Sequence, residues 1–80
     1  MNKAELIRAL DQLNVPLTHY SLEGDLLPGR IVLYNSYNDW ITFYLDERGN
    51  RNEEQTFKSE NDACKNIYNI FKRLEQIGGY

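Results

Sequence analysis

The run Trp40-Ile41-Thr42-Phe43-Tyr44-Leu45 carries the strongest strand signal in the chain. It is dominated by β-branched and aromatic residues and is too short for a stable helix of its own. Polar turns bracket it, Asn35-Ser36-Tyr37-Asn38-Asp39 before and Arg48-Gly49-Asn50-Arg51 after, with Gly49 or Asn50 suited to positive φ. Outside those turns lie Ile31-Val32-Leu33-Tyr34, which follows the Pro28-Gly29 turn, and the shorter Glu54-Gln55-Thr56-Phe57. Short loops favour pairing of sequential strands, so the middle of the chain reads as a three-stranded antiparallel meander.

Helical patterns flank the meander. Leu6, Ile7, Leu10 and Leu13 form one apolar stripe, with Asn2 and Glu5 as a capping box and Asn14 and Pro16 as the stop, which predicts a helix over 3–13. Residues 15–30 keep no single period and read as a loop anchored by several apolar residues, with one short extended piece around 17–22. Ser59 caps a second stripe of Ala63, Ile67, Ile70, Phe71, Leu74 and Ile77, closed by Gly78-Gly79, which predicts a helix over 60–77. The expected fold is α+β: one small domain over 1–80, a two-layer sandwich with both helices on one face of the sheet, in the order α-β-β-β-α.

Eighty residues with 41% hydrophobic and 26% charged residues leave little apolar surface beyond the core, since a domain this small buries only about 60% of its unfolded surface. Nine basic against twelve acidic residues, a net charge of −3, argue against a nucleic acid or an anionic membrane as partner. A single cysteine, Cys64, excludes an internal disulfide and fits a reducing compartment. No apolar run reaches membrane-spanning length, and the N-terminus has no signal-peptide pattern. The chain is expected to be complete and cytoplasmic.

Alternation divides the central strand into two sets. Ile41, Phe43 and Leu45 point one way and Trp40, Thr42 and Tyr44 the other. The aliphatic set is expected to meet the helices, which leaves Trp40 and Tyr44, joined by Tyr34 or Leu33 depending on register and with Tyr37 in the adjacent turn, as an aromatic docking surface. The competing readings of that face are a second small core under loop 15–30 or burial in a homodimer. Asp46, Glu47, Glu53 and Glu54 would form a charged rim for a basic partner, although an ordinary solvated hairpin explains the same acids.

Catalytic chemistry is not expected. His19 is the only histidine and reads as an ordinary loop residue. Cys64 reads as a small apolar group, and no residue spacing suggests a metal site, a phosphate loop or any cofactor. An aromatic sheet also suits single-stranded nucleic acid, but such proteins pair their rings with a basic groove, and these turns carry acids as well as bases.

The run from Trp40 through Asp46-Glu47-Arg48-Gly49, then Phe57-Lys58-Ser59-Glu60-Asn61-Asp62-Ala63-Cys64 opening a helix, resembles small immunity proteins of bacterial polymorphic toxin systems, including those of contact-dependent growth inhibition. The earlier Tyr20-Ser21-Leu22-Glu23-Gly24 fits the same pattern. The resemblance implies a non-enzymatic cytosolic antidote that binds a cognate toxin domain, often a nuclease, and blocks its active site. It transfers no binding residues, so the partner-binding candidates remain Tyr34, Tyr37, Trp40, Tyr44, Asp46, Glu47, Glu53 and Glu54. The alternative functions are a homodimerisation module and a single-strand nucleic-acid binder.

Overall fold

A computed structural model describes residues 1–78. Helix α1 spans Lys3–Gln12, and a single 3-10 turn, Leu17–His19, leads into strand β1, Tyr20–Ser21. Strands β2 (Arg30–Ser36), β3 (Asp39–Leu45) and β4 (Arg51–Phe57) follow, and helix α2 spans Glu60–Gln76. The α+β class holds, but the sheet has four strands rather than three and is mixed rather than antiparallel. Its order is β1-β2-β3-β4, and β1 lies parallel to β2 through the pairs Tyr20–Ile31 and Ser21–Val32. A two-residue strand has no periodicity to read. Tyr20 is fixed instead by tertiary contact, its ring standing edge-on to Phe71 with centroids 6.3 Å apart.

The helix termini follow local chemistry. Asn2 and Glu5 form the expected capping box on α1. Asn14 takes a left-handed φ of 61°, and the amides of Asn14 and Val15 bond back to the carbonyls of Asp11 and Leu10. These bonds satisfy carbonyls that the helix end would otherwise orphan, so the helix stops before Pro16 acts. Ser59 accepts from the Asp62 amide at the start of α2, and Gly78 at φ 85° closes it. Gly79, read from the sequence as part of that cap, lies outside the described residues.

Both helices pack on one face of the sheet. Leu6 and Leu10 of α1 meet Ala63, Cys64, Ile67 and Phe71 of α2 over Leu33, with Ile31, Trp40 and Phe57 at the margin. The N-terminal ammonium of Met1 donates to Asn61, which ties the starts of the two helices together. A second, smaller cluster of Val32, Phe43 and Leu45 sits on the other face, with Tyr34 and Ile41 beside it. The chain leaves β1, passes Gly24 against the Tyr34 ring, and returns to Gly29, whose amide bonds to the Leu45 carbonyl. This strap and the Arg51 guanidinium, 4.5 Å from the Phe43 ring centroid, lie against that face.

Candidate functional site

The face assignment expected from alternation is reversed. Trp40, Thr42 and Tyr44 point towards the helices, and Ile41, Phe43 and Leu45 point away from them. Asn66 of α2 fixes this by donating to the Thr42 hydroxyl at 2.9 Å, and Thr42 is 1% exposed. The physical reason is that both faces are covered. On the far side Arg51 lies over Phe43 and Tyr34, and Gly24 approaches the Tyr34 ring, while the rings of Trp40 and Tyr44 sit at the rim of the helix-covered side. The ring-bearing side is therefore not a free docking face. The proposed anchors do not form one surface.

The turn between β2 and β3 presents the most exposed aromatic among the described residues. Ser36 pairs with Asp39, leaving Tyr37 and Asn38 as a two-residue loop. Tyr37 has a φ of 56° and is 98% exposed. Two-residue hairpin loops favour glycine or asparagine at such a φ, because a Cβ crowds the backbone there. An exposed tyrosine gains nothing from burial to offset that strain.

Behind this tip the structure brings Trp40 and Tyr34 to one hollow of about 210 Å³, together with Leu22, Gly24, Leu33 and Asn35. Lys3 and Glu23 pair across its mouth at 3.2 Å, and the Lys3 ammonium lies 5.8 Å from the Trp40 ring centroid. β1 ends at Ser21, so nothing pairs with β2 from Leu33 onward on this side among the described residues. Asp39, next to the tip, holds Lys58 at 2.7 Å.

The remaining candidates lie at the other end of the sheet. Tyr44 is 39% exposed and lines a shallow apolar hollow with His19, Ile31, Phe71 and Leu74. Asp46 is a turn residue. Its carboxylate accepts from the amides of Arg48 and Asn50 and from the Asn52 side chain. Those bonds, the Asn50 amide first, hold its pKa below the usual carboxylate value. Glu47 is exposed in the same turn. Glu53 sits at a bulge in β4 with a φ of 54°, and Glu54 pairs with Arg51 at 3.1 Å. The acids are thus divided between a turn and an edge strand, and only Glu47 and Glu53 make no hydrogen bond or ion pair among the described residues.

Sequence reasoning missed Arg51, which read as a turn residue and instead lies over Phe43 and Tyr34. Its register opposite Leu45 places it on that face, and only strand pairing reveals this. Cys64 is completely buried, and burial, then the charge of Glu60, raises its thiol pKa. Burial and then Asp11 likewise raise the Tyr20 phenol. No group of three metal-ligating side chains occurs among the described residues, and no helix there is long and apolar enough to cross a membrane. Compared with known proteins, the chain matches no family model, no curated protein and no solved structure.

Proposed function

We propose that this chain is a non-enzymatic binding protein, an immunity protein of the polymorphic-toxin type that its motifs resemble, and that it engages its toxin through the β2–β3 tip. The observation that carries the reading is Tyr37, a bulky ring in full solvent on a backbone that disfavours any side chain. Folding gains nothing from that choice, so selection for contact with another molecule accounts for it. Tyrosine supplies large contact area with few rotatable bonds and is enriched among interface hot spots. Trp40 and Tyr34, behind the tip, would contribute the hollow beside it. Tyr44 and Asp46 drop out of this surface because they lie at the opposite end of β3.

A projecting tip suits a concave partner, and an active-site cleft is one. The homodimer alternative draws no support from Trp40, whose ring packs against the helix-side core under Lys3. The test uses the toxin domain encoded beside the gene. Tyr37→Gly should weaken binding about 30-fold or more, the scale of a 2 kcal/mol hot spot. The same change should leave the fold equally or more stable, because glycine accepts the left-handed φ. Unchanged affinity on calorimetry would remove the tip as anchor. Failure of the parent protein to bind or protect against that domain would remove the antidote reading.

A further inference from the structure

The outer edge of β4 is built unevenly. β4 ends the sheet, and every residue from Arg51 to Thr56 is exposed. Its first half is defended as edge strands usually are. A bulge interrupts the register between Thr42 and Tyr44, Glu53 is turned to positive φ, and Arg51 and Glu54 are paired charges. The second half has none of these devices. Gln55, Thr56 and Phe57 pair in regular register with Thr42, Ile41 and Trp40 and carry no charge or proline.

The open half also presents unmatched backbone. The two-residue turn closes on the pair Ser36–Asp39, and bonded and non-bonded pairs alternate along an antiparallel ladder. Trp40 and Thr42 therefore direct their backbone groups to Phe57 and Gln55, and Thr56 directs its N–H and C=O outward, away from the sheet. The flanks are acidic. Residues 53–62 contain Glu53, Glu54, Glu60 and Asp62 against Lys58, which Asp39 already holds. Glu53, Glu60 and Asp62 make no ion pair among the described residues. Phe57 lies opposite Trp40, so this edge begins close to the Tyr37 tip.

We infer that the Glu54–Phe57 edge accepts an extended, cationic segment of the partner protein as an added strand, short because the bulge stops it at one end and the Ser59 cap of α2 at the other. Main-chain bonds to Thr56 supply the pairing, and the carboxylates of Glu53, Glu60 and Asp62 select lysine or arginine on the incoming strand. The inference rests on the binding-protein reading and assigns that reading a second contact and a charge class.

The test uses a synthetic acetylated hexapeptide of alternating Lys and Val, titrated into isotope-labelled protein and followed by amide shifts. Shifts centred on Thr56 and Glu54 are expected, at least fivefold weaker for a Glu–Val peptide and for Thr56→Pro. Proline at that position deletes the outward donor and spares the bonds of Gln55 and Phe57 to β3. Thr56→Val keeps the donor and should bind as the parent does, and Glu53→Lys should weaken binding without touching the ladder. No shifts at millimolar peptide, shifts elsewhere, or a Thr56 amide that moves with protein concentration alone, the mark of a second copy on the edge, would overturn the inference. Against the toxin domain, loss of binding by Tyr37→Gly with none by Thr56→Pro would sink the edge and leave the tip standing.

Discussion

Each face of the sheet carries a buried cluster, but by different means. One carries two helices and a cluster that reaches from Leu6 to Phe71. The other holds three buried residues, Val32, Phe43 and Leu45, beside Tyr34 and Ile41 and under an arginine. The difference teaches that the more aliphatic face of a strand need not be the one under the helices. The helix side can admit a threonine, because α2 supplies Asn66 to bond it.

The largest test of this contrast is Phe43→Ala. A residue on an open face would cost little to truncate. Phe43 is 2% exposed, so its loss should cost about 3 kcal/mol or more on denaturant unfolding. A cost under about 1 kcal/mol would mean that this face is open. Next is Thr42→Val, which takes the hydroxyl from the partly buried Asn66 amide and should cost about 1 kcal/mol. A neutral result would place Thr42 on the outer face after all. Smallest is Arg51→Ala, which removes the guanidinium from Phe43 and its pairing with Glu54. The expected loss is about 0.5–1 kcal/mol, and Arg51→Lys should recover only part of it, since lysine lacks the planar group that stacks.

Much of the fold was legible because its signals are local. The Asn2–Glu5 box, the Ser59 cap and the apolar stripes place α1 and α2 within a residue or two of their observed ends. The β2–β3–β4 meander was legible for the same reason, although each strand runs longer than its apolar run. The extended piece expected around 17–22 contains β1, but its parallel pairing with β2 was not legible, because Tyr20 and Ser21 are held by contacts distant in sequence. Face assignment failed at Thr42, where period two separates the sets without saying which covering each receives. The candidate site was legible only in part. Tyr37 was nominated as an aromatic near a docking face, but its left-handed backbone, the feature that sets it apart, exists only in the folded turn. The acidic residues looked like one rim, yet Asp46 is held within its own turn and Glu54 by Arg51.

Cys64 is the molecule's sole thiol, and it is sealed in the core shared by Leu6 and Leu10 of α1. A labelling reagent can reach it only when the two helices part. Its alkylation rate is therefore a clock for that opening, readable without any engineered probe. A partner that clamps α1 against α2 would slow that clock.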